Sequence, residues 1–307
     1  MLTFAEFKTE VKENIIEALP TEFADCHPDI STVTRADYSY EGLTIHPKDM
    51  GAFACPAYDL TRAYKTYSEG DTAMSAVIAE AAKLIVNNVK FPDSFDLKPA
   101  DITKWEKAKS HIIPILRNSR YNVEYLMDKV SRPIVDDMVI LYSLILKESN
   151  KESASVKITD HLLDTWGVSE DDLYDVAIAN LKNRNHSFAS IEDVIFGSGD
   201  ITTTVDTCDT DKDMPLFVMR GATIDGASVI LNTDLMDKLA EKFDFYILPS
   251  STSEVIIMRK GSTNHDITSL ISMVKEINET DVTPEERLAD TVFEYDKETK
   301  TIRLANV

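Results

Sequence analysis

Pro249-Ser250-Ser251-Thr252-Ser253-Glu254 gathers hydroxyls and a carboxylate in one short loop between two apolar runs, Phe245 to Leu248 and Val255 to Met258. A loop tied at both ends to strands holds its side chains in place, as a binding or catalytic group requires. A serine attacks a carbonyl only when a base takes its proton, so Ser250, Ser251 and Glu254 are the candidates for a hydrolase-like site. The stretch lacks the Gly-x-Ser-x-Gly turn that lifts a serine nucleophile out of a sheet. Ser and Thr also satisfy backbone groups in ordinary strand-to-strand turns, and the turn is the preferred reading of this loop.

Other chemistries find less support. Asp209-x-Asp211-x-Asp213 opens like a calcium loop, but Met214 stands where the turn glycine belongs and Arg220 where the closing carboxylate belongs. The histidines at 27, 46, 111, 161, 186 and 265 never fall three or four residues apart, so no helix face presents a zinc pair. Gly221 and Gly226 bracket a loop without the spacing of a phosphate cradle. No metal and no cofactor is therefore expected. Trp105 and Trp166 sit on apolar helical faces and read as core.

The charge balance narrows the partners. With 53 acidic and 32 basic residues the chain carries a net charge of −21. Phosphate backbones and anionic membranes are bound through clustered Lys and Arg, so direct nucleic-acid and membrane binding are disfavoured by sign alone. An unidentified protein partner, basic in character, fits better, and a mimic that sequesters a DNA-binding protein is the sharper form of the same idea. Three cysteines at 26, 55 and 208 form no disulfide or zinc framework, which points to a reducing cytoplasm. The first ten residues include acids and show no basic stretch ahead of an apolar one, so no secretory leader is expected.

The elements that must position these residues alternate irregularly between strand and helix. Thr3 and Glu6 predict a capped helix with Phe4, Phe7, Val11 and Ile15 on one face. Val33 to Ile45 predicts strands that turn at Gly42, and Ala52 to Tyr58 a further strand. Helices are expected over Leu60–Tyr67, Met74–Val86 and, around Trp105, from Asp101 to Leu116 with Pro114 forcing a kink or an end. Val139-Ile140-Leu141-Tyr142 is apolar on both faces, as in a doubly buried strand. Thr283-Pro284-Glu285-Glu286 combines a capping box with proline at the first helical position, so a helix should start there. A hairpin across Asp296 to Lys300 closes the chain.

One passage returns at an offset of 73 residues: Ala154 to Asp164 reappears as Ala227 to Asp237, with five of eleven positions identical. Both copies read as strand running into helix. The expected fold is thus α+β, in mixed modules with a repeated strand–strand–helix unit and mainly antiparallel sheets. The expected division is an N-terminal module over 1–118, a middle module with the first copy over 119–196, an acidic linker over 197–213, and a C-terminal module with the second copy over 214–307.

Phe245-Tyr246-Ile247-Leu248-Pro249-Ser250-Ser251 followed by Glu254-Val255-Ile256-Ile257 resembles a family of bacterial proteins known as domain of unknown function 5688. Gly226-Ala227-Ser228-Val229, Met273-Val274-Lys275-Glu276-Ile277-Asn278, Glu285-Glu286-Arg287-Leu288-Ala289-Asp290, Tyr295-Asp296-Lys297-Glu298-Thr299 and Leu163-Asp164-Thr165-Trp166-Gly167-Val168 continue the similarity, as does Phe4 to Leu19 more weakly. The resemblance implies a cytosolic bacterial protein of no assigned activity. Two positions depart from it: Ser253 stands where the family often has His, and Arg220 where it often has Asn. A loop that worked through that histidine would be impaired here. The sequence therefore reads as a non-enzymatic binding or adaptor protein, with a hydrolase around Pro249–Glu254 and an acidic nucleic-acid mimic as alternatives.

Overall fold

The computed structural model describes residues 2–34, 38–47, 56–88, 96–98, 101–148, 153–197, 203–210, 214–222, 225–262 and 266–306. The fold is α+β with mainly antiparallel sheets. No helix among the described residues is long and apolar enough to cross a membrane. The chain divides into two compact units, Met1–Ala108 with Ile145–Val156, and Lys109–Leu144 with Lys157–Val307.

The first unit is built around α1 (Phe4–Asn14), an antiparallel sheet of β1 (Cys26–Thr34), β2 (Ser39–Pro47) and β3 (Tyr58–Asp59), and helices α2 (Leu60–Ser68) and α3 (Met74–Asn88). Thr3 caps α1 through the Glu6 amide while Glu6 reaches back to the Thr3 N–H, so the expected capping box is formed. The apolar face that follows is buried: Phe7, Val11 and Ile15 pack with Leu43, Ile45, Leu60, Val77 and Ile85. Gly42 is no turn residue. It lies within β2 opposite Ser31, where an added Cβ would come within 2.7 Å of the Val33 side chain, and the chain reverses between Thr34 and Ser39 instead. The strand expected over Ala52–Tyr58 falls partly outside the described residues; its described end joins β3.

The long helix expected around Trp105 is corrected: α4 (Trp105–Ala108) is one short turn at the end of the first unit's opening segment, and the first strand of the second unit is β4 (Ile112–Asn118). Ile112, Ile113, Ile115 and Leu116 are all buried, a run that suits a strand covered on both faces. Pro114 is tolerated because β4 is an edge of its sheet, where a missing N–H breaks no ladder. After α5 (Val123–Leu126) come β5 (Ser131–Val135) and β6 (Met138–Glu148), which pair in the order β4-β6-β5; the end of β6 from Ile145 and its partner β7 (Ser153–Lys157) through Val156 are counted with the first unit. The doubly apolar stretch is the centre of β6, buried from Met138 to Leu144.

Helices α6 (Asp160–Trp166) and α7 (Glu170–Lys182) follow, the first ending on Gly167 at φ 68° and the second starting on the Ser169–Asp172 capping box. A six-stranded antiparallel sheet then runs in the order β13-β12-β10-β11-β9-β8, from β8 (His186–Ser190), β9 (Leu216–Gly221), β10 (Phe245–Leu248), β11 (Val255–Arg259), β12 (Phe293–Asp296) and β13 (Thr301–Leu304). Helices α8 (Ile191–Phe196), α9 (Thr233–Lys242) and α10 (Ile267–Asp281) complete it. Between Gly197 and Met214, the described residues 203–210 bury Val205, Cys208 and Thr210.

The repeat survives only in its helical half. Ala154–Lys157 belongs to β7, whereas Gly226–Leu231 is a fully buried 3₁₀ segment, not a strand. The second copy lies beside the serine loop, with the Ala227 N–H bonded to the Thr252 carbonyl. The helix expected at Thr283 is also corrected. Thr283 and Glu286 do form their hydrogen bond and the Arg287 N–H reaches the Thr283 carbonyl, but the turn stops after one cycle. Beyond it the carbonyls of Glu286, Leu288 and Ala289 are bonded from outside the segment, by the Thr252 N–H, Asn118 and Asn278, and no further i→i+4 bond forms among the described residues.

Candidate functional site

The serine loop joins β10 to β11, antiparallel neighbours in register from Phe245 opposite Arg259 to Leu248 opposite Ile256. Four hydrogen bonds fix its shape: Ser251 N–H to Glu254 O at 3.2 Å, Ser253 N–H to Ser251 Oγ at 3.1 Å, Ala227 N–H to Thr252 O at 3.1 Å, and Thr252 N–H to Glu286 O at 2.9 Å. The Ser251 hydroxyl thus accepts from the backbone of its own turn, and Thr252 is buried. Ser250 takes a different place, at the edge of an apolar cleft. The three candidates share one turn without converging: Ser251 braces it, Glu254 closes it through its carbonyl, and Ser250 faces the cleft.

That cleft has a volume of about 300 Å³ and lies where α10 crosses the sheet. Leu248, Ile256 and Met258 form its floor from β10 and β11, and Leu270 and Val274 its wall from α10. Met273 and Ile277 sit one and two turns along the same helix face and are 40% and 42% exposed. Ile191 contributes from α8, and Ile195, four residues on and therefore on the same face, is 63% exposed. Only Ser250 and Asn278 bring polar atoms, and the Asn278 amide is spent on Ala289 O and Asp290 Oδ1. Glu192, Asp193, Glu276 and Glu279 are exposed on the two helices that border the cleft, with Lys275 as the cation among them. The arrangement can bury apolar side chains, with Glu276 one helical turn from Met273 and Glu192 one turn from Ile195.

Beneath the loop lies a charged cluster that no local spacing announced. Arg117 Nη1 donates to Asp225 Oδ1 at 2.7 Å, Lys157 Nζ stands 3.7 Å from Asp225 Oδ2 and 3.1 Å from Ser143 Oγ. Burial drives the Lys157 amine below its ordinary pKa, and Asp225 offsets only part of that. A Lys–Ser contact of this length is the geometry of a Ser–Lys dyad, yet Ser143 is 1% exposed within β6 and no substrate reaches it. The cluster instead anchors Asp225, and so the residue after it. A Cβ on Gly226 would lie 2.4 Å from the Ser253 carbonyl, so this glycine is what lets the 3₁₀ segment touch the serine loop. Its parts come from β4, β6, β7 and the loop before the 3₁₀ segment, far apart in sequence. The signal that could have found it was a lone Lys in an otherwise apolar, strand-like stretch.

The remaining sequence candidates separate. Arg220 donates to Ser187 Oγ across the β8–β9 ladder at 3.3 Å. Asp211 and Asp213 of the calcium-like run lie outside the described residues, as does His265. His27 and His46 face each other across β1 and β2 with ring centroids 5.6 Å apart, a proximity set by strand register that helical spacing could not reveal. Among the described residues no group of three or more His, Cys, Asp or Glu could hold a metal ion.

The model of a family of unknown function, DUF5688, matches residues 4–297, and the chain belongs to that family. No curated protein matches. No solved structure matches.

Proposed function

We propose that this member of the DUF5688 family is a binding or adaptor protein, whose cleft beside the serine loop takes an apolar anchor from a basic, amphipathic segment of a protein partner. The observation that carries the reading is the open cleft of about 300 Å³ between α10 and the sheet, with Met273 and Ile277 exposed along its lip. That volume is at the lower end of ligand sites, which suits a few anchoring side chains of a peptide better than a whole small molecule. A helix laid in a groove with anchors every three to four residues is the recognition mode that matches a helical lip. The exposed carboxylates of Glu192 and Glu276, each one helical turn from an apolar residue of the cleft's border, favour basic flanks on the partner, as does the net charge of −21.

The serine loop supports the same reading from the other side. Its backbone and the Ser251 hydroxyl are occupied in holding the turn, which fixes Ser250 and the end of β10 as a rigid border of the cleft. The free thiols of Cys26 and Cys208 are in keeping with a cytosolic bacterial setting.

Fluorescence anisotropy with a labelled basic amphipathic helical peptide tests the proposal. The wild-type protein should bind it saturably, and Ile277→Glu should weaken binding about tenfold or more, the cost of losing a central apolar anchor. A peptide of the same composition with its apolar residues scattered should not bind. Equal binding of both peptides, or an Ile277→Glu variant that is folded and binds as well as wild type, would overturn the proposal.

A further inference from the structure

The first unit carries a pair of imidazoles that only strand register brings together. His27 of β1 stands directly opposite His46 of β2, one step in from the end of a ladder that runs without a break from Cys26 opposite Pro47 to Thr34 opposite Ser39. The ring centroids are 5.6 Å apart and the planes are tilted by 35°. His27 is exposed and His46 half-buried, so solvent reaches the pair. Two imidazoles that share one tetrahedral zinc, each nitrogen about 2.0–2.1 Å from the metal, have their nitrogens about 3.4 Å and their centroids about 5.2 Å apart. The observed separation lies within a few tenths of an ångström of that, a difference that a small rotation of the exposed His27 side chain covers.

The hydrogen bonds leave the lone pairs that a metal needs. His46 Nε2 is 2.8 Å from Thr44 Oγ1, and the Thr44 hydroxyl donates to the Asp29 carbonyl at 3.5 Å. A hydroxyl whose hydrogen goes to a carbonyl accepts from the ring, so this network assigns the hydrogen to Nε2 and leaves Nδ1 with its lone pair. A histidine that ligates a metal is oriented in this manner, by a bond from its other nitrogen. Among the described residues the His27 ring has no hydrogen-bond partner, so either of its nitrogens is open to an ion.

The surroundings favour a cation. Asp29 follows His27 on the same face of β1 and is held only by a 3.7 Å contact to Lys12, between side chains 55% and 43% exposed. The net charge of −21 draws cations to the whole surface. Cys26, next to His27, packs against the core on the other face of the strand and is not part of the pair.

We propose that His27 and His46 chelate a divalent transition-metal ion of the zinc type, with water in the remaining positions. Imidazole nitrogens select such ions over magnesium and calcium, which take oxygen ligands. Two protein ligands are one short of an open zinc centre built by a single chain, so binding is of moderate strength and a third ligand can come from another molecule. The site lies in the first unit and owes nothing to the apolar cleft.

The test is a titration of the full chain with zinc chloride, followed by the histidine resonances in ¹H–¹⁵N NMR, with magnesium chloride as the control. His27 and His46 should shift together and saturate at a zinc concentration about tenfold or more below the one that moves His161, an exposed histidine on α6, and magnesium should move none of them. Chelation joins two weak ligands into one site, so His27→Ala and His46→Ala should each weaken zinc binding at the remaining ring about tenfold or more. A response of His27 and His46 only at the concentration that moves His161 would mean adventitious binding to surface imidazoles and would overturn the site. A single variant that binds zinc at its remaining ring as tightly as wild type would overturn it too. The comparison with His161 uses the wild-type protein alone and holds whether or not a variant folds.

Discussion

Asp225 carries more of this fold than any residue of the serine loop. It meets Arg117 at 2.7 Å and Lys157 at 3.7 Å in surroundings where each side chain is at most 18% exposed. Removing one partner of a buried charge cluster leaves the others uncompensated, at a cost of about 3–5 kcal/mol. Asp225→Ala should therefore lower stability by that amount in urea denaturation, while Ser251→Ala, which removes one acceptor from a turn, should cost about 1 kcal/mol. Titration gives a second test at this scale. Burial alone would raise the carboxyls of Asp290 and Glu294, but hydrogen bonds from Tyr121 and Asn278 to the first, and from Lys260 and Arg303 to the second, prevail and hold both below their ordinary pKa. In the unfolded chain both titrate near 4, so the folded state gains stability above that pH and loses it as pH falls through the lowered values. Thermal melts should show a midpoint that is flat above about pH 5 and falls steeply below pH 4. In a Glu294→Gln protein that fall should be shallower.

The elements were legible where the local chemistry and the tertiary packing agreed. Capping residues followed by an apolar face located α1, the repeat located α6 and α9, apolar runs on either side of a turn located β10 and β11, and the closing hairpin fell where expected. They misled where tertiary contacts decided. Ile112 to Leu116 has no period that separates a buried strand from a buried helix, and its pairing with β6 settled the matter. Thr283 has every mark of a helix start, yet tertiary partners bond the carbonyls that follow: Thr252 N–H at Glu286, Asn118 at Leu288 and Asn278 at Ala289. The repeat gave the helix of its second copy and not the strand, because residues Gly226 to Leu231 are packed against the serine loop. The loop between β10 and β11 was legible as a turn; the apolar cleft beside it was not, since it is formed by residues from β9, β10, β11, α8 and α10 that only the fold brings together. Gly226→Ala tests the closest of these contacts. With a backbone carbonyl 2.4 Å from the new Cβ, one segment must move, and destabilisation of about 1–3 kcal/mol is expected in urea. An unchanged midpoint would mean that the 3₁₀ segment is not held against the loop.

For the molecule as a whole, function is read from contrast between surface and site. A chain with net charge −21 repels itself and its anionic surroundings, so features that break the pattern carry the information. The second unit holds two: an apolar cleft between α10 and the sheet, and a polar cavity lined by Lys182, Arg184, Lys238 and Asp234. Neither was visible in composition, which fixes the sum of charges and not their placement. The cleft is the central claim, and methyl ¹³C NMR tests it most directly. On titration with the basic amphipathic peptide, the methyl resonances of Ile256, Met273 and Ile277 should shift together and saturate, while that of Ile158, which is fully buried away from the cleft lining, stays in place. Shifts confined to methyls outside the cleft, or no shift of Met273 and Ile277 at peptide saturation, would contradict it.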